Sequence, residues 1–165
     1  MKPFVLKLAA FFFLSLFFCQ IPASAEQSKN GLFPDEIISA DALMAKIKKS
    51  DLFLLLDARS KKSYDEKHIR GAKLPRTAEY YRQEELFAGG IIPAAPDGEA
   101  ALREAMIGFQ KEYPIVTYCN ADCHASAVLT LRLKGIGFKN VQSMEEGIQA
   151  WEKKGYPVER SETHV

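Results

Sequence analysis

Two cysteines stand three residues apart in Cys119-Asn120-Ala121-Asp122-Cys123, followed directly by His124. Cys119 ends the apolar run Ile115-Val116-Thr117-Tyr118, which suits a strand, and helix-forming residues resume at about His124. A strand, a short loop and a helix start together place backbone amides where an anion would sit. A thiol held in such a cradle is expected to have a lowered pKa, because amides stabilise thiolate. The chemistry this allows is nucleophilic attack on sulfur, phosphorus or a disulfide, with Cys119 as attacking atom. A buried, inert cysteine at a strand end is the alternative. Residues four apart in a helix-like loop bring their Cα atoms to about 6 Å, so Cys123 is within disulfide reach. Cys123 is therefore either a resolving thiol or a small residue packed under the helix, and both readings stay open. Ser126 is expected to cap or line the helix start.

Competing uses of these residues are weaker. Haem attachment through Cys-x-x-Cys-His would need one residue fewer between Cys119 and Cys123. Zinc would need a fourth ligand beside Cys119, Cys123 and His124. Ser126 has no Ser-His-Asp context.

The elements that position the pair follow from periodicity. Ser39 caps a helix through about Lys49, with Leu43, Met44 and Ile47 on one face. The continuous apolar run Leu52–Leu56, ending at Asp57, suits a strand buried on both sides. Lys61–Lys67 suits one or two helical turns, and Ala72–Leu74 a short strand. Residues 76–97 suggest a short helix and then a loop, long and aromatic enough to cover one side of the site. Further helices are expected over about Glu99–Lys111, His124–Lys134 (ended by Gly135) and Glu145–Lys154, with a short strand at Asn140–Gln142. Strands alternating with helices predict an α/β domain with a mostly parallel sheet covered by helices on both faces. Ligands in such sheets sit at the carboxyl ends of strands, where Asp57, Arg59 and Cys119 all fall. Asp57 and Arg59 are expected to support the site chiefly by pairing at the sheet end, His68 to bond backbone in a turn, and Trp151 to anchor the core.

Lys2 and Lys7, the apolar run Leu8–Phe18 and the small-residue pattern Ala23-Ser24-Ala25 read as a secretory signal cleaved near Ala25. The run is shorter than the ~20 residues that span a bilayer. Membrane contact would come only through an uncleaved signal. Removal leaves 140 residues with 20 basic and 21 acidic side chains, enough for one core and without the basic surplus of a nucleic-acid binder. Residues 26–34 read as a short linker and 35–160 as one domain. Cys19 leaves with the signal, so two cysteines would face an oxidising compartment, too few for a disulfide scaffold.

Five segments in order resemble the rhodanese family: Asp57-Ala58-Arg59, Lys67-His68-Ile69-Arg70-Gly71-Ala72, Ile115 to Cys119, Gly137-Phe138-Lys139-Asn140-Val141, and Glu146-Gly147-Ile148-Gln149-Ala150-Trp151. Gly155-Tyr156-Pro157-Val158 closes the likeness, which runs from Ile38 to Val158. The resemblance implies a three-layer rhodanese-like fold and a cysteine, Cys119, that accepts sulfane sulfur as a persulfide and passes it to a thiol acceptor. It implies that amides from Asn120 to Ser126, through Ala121, Asp122, Cys123, His124 and Ala125, hold the terminal sulfur, and it implies no metal or organic cofactor. The family loop commonly runs Cys-x-x-Gly-x-Arg, and here Asp122 and His124 stand at the glycine and arginine positions. That places a negative charge near a site meant for anions and favours persulfide or protein sulfur donors over thiosulfate. Related phosphatases use Cys-x5-Arg, and Ala125 occupies that arginine position. Two further uses of the same loop follow: a dithiol–disulfide redox protein, or a binding module that kept the fold without efficient catalysis.

Overall fold

The computed structural model describes residues 26–74 and 96–161. The readings of residues 1–25 as a signal and of most of 76–97 as a short helix and covering loop fall outside them.

Helix α1, Ala40–Lys48, begins where the Ser39 side chain accepts the Ala42 amide, and it buries Leu43 and Met44. The chain then runs through β1 (Leu54–Asp57), α2 (Lys61–Glu66) and β2 (His68–Ile69). After the undescribed stretch come α3 (Pro96–Ala105), β3 (Ile115–Tyr118), α4 (Ala125–Gly135), β4 (Val141–Met144), α5 (Gly147–Lys153) and β5 (Val158–Glu159). Strands β1, β3 and β4 form a parallel sheet with β3 central. Single bridges extend it at both edges, Leu56 to Lys73 and Ser143 to Ile37.

Alternation along the strands divides the core in two. Leu55, Val116, Tyr118 and Met144 pack with Leu43, Met44, Ile148 and Trp151 on the α1 and α5 side. Leu56, Ile115 and Val141 pack with Leu102, Met106, Leu129 and Leu133 on the α3 and α4 side. The result is the expected three-layer α/β arrangement.

Several boundaries differ from the sequence expectation. The short strand expected at Ala72–Leu74 is reduced to the bridge at Lys73, and pairing falls instead to His68–Ile69, antiparallel to Val158–Glu159. Helix α3 ends at Ala105, ahead of Lys111, because turns follow and Gly108 takes φ +92°. The left-handed residue after α4 is Gly137, not Gly135, with Phe138 N–H bonded back to the Leu133 carbonyl. The segment read as a linker is partly packed: Leu32 is 0% exposed, and Ser28 and Asn30 both donate to Glu145.

Candidate active site

The residue after β1 and the start of α5 hold the loop between β3 and α4. The Tyr118 carbonyl accepts the Ala58 amide, and the Cys119 carbonyl accepts the Ile148 amide at 2.9 Å. Gln149 of α5 clamps the loop from outside, its Oε1 accepting the Ala121 amide at 2.9 Å and its Nε2 donating to Asn120 Oδ1. The loop closes on itself through Cys123 N–H to the Asn120 carbonyl. Gly147 makes the approach possible. Its φ is +72°, and a Cβ there would stand 2.2 Å from the Ala121 nitrogen.

Both cysteines are free thiols. Cys119 is 1% exposed. Around its Sγ stand the carbonyl oxygens of Asn120 (3.3 Å) and Cys123 (3.0 Å) and the Ser126 hydroxyl (3.3 Å). Ser126 is oriented in turn by the buried Ser143 hydroxyl, which donates to it at 2.9 Å. Below it, Thr117 donates to the Ser126 carbonyl and shares a hydrogen bond with Thr130.

Cys123 is half-buried and accepts the Ala125 amide at 3.3 Å, at the first residue of α4. The expected acidity therefore falls on Cys123 rather than Cys119. Hydrogen bonding from the Cys119 thiol, with help from the Ala125 amide, lowers the Cys123 pKa to about 6, against the cost of partial burial. The bond to Cys123 and burial push Cys119 well above an ordinary thiol, and Ser126 only partly opposes this. The largest cause is the interaction between the two thiols; burial adds to it at Cys119, where the Ser126 hydroxyl and amide oppose it, and the Ala125 amide adds to it at Cys123. Of the amides expected to cradle the terminal sulfur, Ala121 serves Gln149, Cys123 serves Asn120, and Ala125 faces Cys123.

Asp122 and His124 are exposed. His124 precedes α4 without a side-chain cap bond, and its Nδ1 contacts Asn30 Oδ1. The N-terminal segment thus reaches the loop, a contact no local sequence signal announces.

Asp57 and Arg59 form a buried pair, with side chains 0% and 7% exposed. Arg59 Nε and Nη2 donate to the two carboxylate oxygens at 3.0 and 2.7 Å, and Nη2 also donates to the Lys67 carbonyl. Tyr118 completes the set by donating to Asp57 Oδ2 at 2.7 Å and accepting the Ile69 amide at 3.0 Å. Its phenol is kept protonated by burial and by Asp57. The supporting role expected for Asp57 and Arg59 is thus carried by a three-residue network, and Tyr118 was missed because a strand tyrosine reads as core. His68 contacts the Tyr64 carbonyl through Nδ1, as a turn residue should. A cleft of about 660 Å³ opens beside the loop, lined by Arg59, Lys67, Asn120, Gln149, Glu152 and Arg160. Among the described residues, no three His, Cys, Asp or Glu side chains gather as a metal-ligand set, and no helix is long and apolar enough to cross a membrane.

A buried sulfur at the carboxyl end of the central strand, under a loop that leads into a helix, defines a cysteine-centred α/β domain. The family description Rhodanese-like domain matches residues 39–154, and the chain belongs to that family. Among solved structures, a Bacillus halodurans protein is similar at 22% identity and TM-score 0.57, over 76% of this chain and 77% of that one. The rhodanese-like domain of an Anabaena protein is 21% identical with TM-score 0.56, over 79% of this chain and 83% of that one. A thiosulfate sulfurtransferase from Pseudomonas aeruginosa is 18% identical with TM-score 0.50, over 76% of this chain but 20% of its own length. At these identities the likenesses speak to fold. No curated protein matches the chain.

Proposed function

We propose that this chain is an exported sulfurtransferase that carries sulfane sulfur as a persulfide on Cys119. The observation that carries the reading is the placement of Cys119 Sγ at the end of β3, beside the Ser126 hydroxyl and 3.0 Å from the backbone carbonyl of a second cysteine, in a chain of this family. In the outgoing step an acceptor thiolate attacks the outer sulfur of the Cys119 persulfide. The S–S bond to Cys119 breaks, its electron pair stays on Cys119, and the acceptor leaves as a persulfide. The donor carries sulfane sulfur and the acceptor is a thiol, each a small molecule or a protein, and the cleft beside Asn120 is where an acceptor would approach. Export rests on the pattern of residues 1–25.

Intact mass of the reduced, purified protein before and after a persulfide donor tests this reading. One added sulfur mapping to Cys119 at completion is expected, together with an N-terminus near Glu26. A reduced protein that gains no sulfur would refute the activity. A second reading, dithiol–disulfide exchange, is favoured by two free thiols in one loop, with Cys119 Sγ 3.0 Å from the Cys123 carbonyl. Its sign would be a protein two hydrogens lighter than the dithiol form.

A further inference from the structure

The two sulfurs are unequal in ways that bear on order. Cys119 is 1% exposed, so a donor larger than water cannot reach it without displacing the loop. Cys123 is half-buried, four residues on in the same loop and directly after its turn, with one side packed against the α3 and α4 side of the core. The surroundings differ too. Two carbonyl oxygens face Cys119, whereas Cys123 takes the Ala125 N–H. The exposed His124 adds a nearby group that favours negative charge on Cys123.

We infer that Cys123 makes the first bond to the sulfur donor and that Cys119 receives the sulfur from it. The inference rests on the sulfur-transfer reading and assigns Cys123 a catalytic role beyond resolving. In the first step the Cys123 thiolate attacks the outer sulfur of a donor persulfide. The donor S–S bond breaks, the donor leaves as thiolate, and Cys123 becomes a persulfide. In the second step Cys119 attacks that outer sulfur. Its proton passes to the departing Cys123 sulfur, and the two residues already touch, the Cys123 carbonyl oxygen standing 3.0 Å from Cys119 Sγ. The Cys123 S–S bond breaks, and the pair ends as Cys119 persulfide and Cys123 thiol. No net oxidation occurs in either step. An S–S bond adds about 2.05 Å, enough to keep the outer sulfur within reach of a neighbour already in contact. The buried Ser126 hydroxyl is then in place to donate to sulfur on Cys119.

Two variants and the native protein test the relay, with glutathione persulfide as donor, rapid alkylating quench and peptide mapping. Cys119→Ser is expected to hold the added sulfur on Cys123. Cys123→Ser is expected to load at least about tenfold more slowly than the native protein, because only a thiol that is 1% exposed and faced by two carbonyl oxygens remains. Loading of Cys123→Ser on Cys119 at the native rate would overturn the relay and leave sulfur transfer intact. A native protein that takes up no sulfur would instead overturn the transfer reading, and the relay with it. Iodoacetamide on the native fold at pH 7 supplies a measurement that no misfolded variant can spoil. Cys123 should be modified first, and modification of Cys119 first would overturn the relay.

Discussion

Replacing Gly147 by alanine would test how the loop is held. The residue sits at φ +72°, and an added Cβ would lie 2.2 Å from the Ala121 nitrogen and 2.5 Å from the Asn120 carbonyl carbon. Ordinary contact begins at 3.4 Å, so the loop would have to retreat by more than 1 Å. The atoms in the way are backbone, which cannot swing aside as a flexible side chain would. Left-handed backbone alone costs alanine about 1–2 kcal/mol. Losing the bond from Ile148 N–H to the Cys119 carbonyl adds about 1 kcal/mol. A loss of about 2–4 kcal/mol follows, and for a domain of this size a fall in Tm of about 6–12 °C. Because the loop carries both cysteines, Cys123 should also lose part of its acidity. Thermal unfolding and the pH profile of iodoacetamide labelling of Gly147→Ala measure both effects. Native Tm together with a native labelling profile would refute the idea that close approach of α5 fixes the loop.

In the native reduced protein, Cys123 alkylation should rise with pH through a midpoint near 6 and then level off, since the thiolate is the reacting form. Cys119→Ala removes the largest cause of that acidity, so its midpoint should move up toward that of an ordinary thiol; an unmoved midpoint would mean the thiols do not interact. Ser126→Ala takes away a group that lowers the Cys119 pKa and should slow acceptor turnover from loaded Cys119 while leaving Cys123 labelling near native. Equal turnover in single-turnover assays would count against that role. Arg59→Ala leaves the fully buried Asp57 without its bidentate partner and should cost about 3–5 kcal/mol in urea unfolding, a loss that a lysine at 59 restores only in part.

Much of the scaffold was legible from local chemistry. Ser39 with Leu43, Met44 and Ile47 announces α1, because a cap and a repeating apolar face need only neighbours along the chain. The apolar runs ending at Asp57 and Cys119 announce β1 and β3, and their alternation with helices announces a parallel sheet with the cysteine at its carboxyl end. Weaker elements were misplaced for the same reason. The two-residue strands β2 and β5 exist only because His68–Ile69 and Val158–Glu159, far apart in sequence, meet.

The division of labour between the thiols lay beyond the sequence. Cys119 and Cys123 sit in one loop, and nothing in their order says which sulfur meets an amide and which meets carbonyls. That is decided where Gly147 and Gln149 of α5 press on Asn120 and Ala121 and turn the peptide groups of the loop. The reach of Asn30 to Glu145 and His124 likewise depends on partners more than ninety residues away. Residue types and spacing along the chain determined that this protein would carry a sulfur pair at the end of a parallel sheet. Only the tertiary contacts decided which sulfur is buried with carbonyl oxygens around it and which stays half-buried with the Ala125 amide on it.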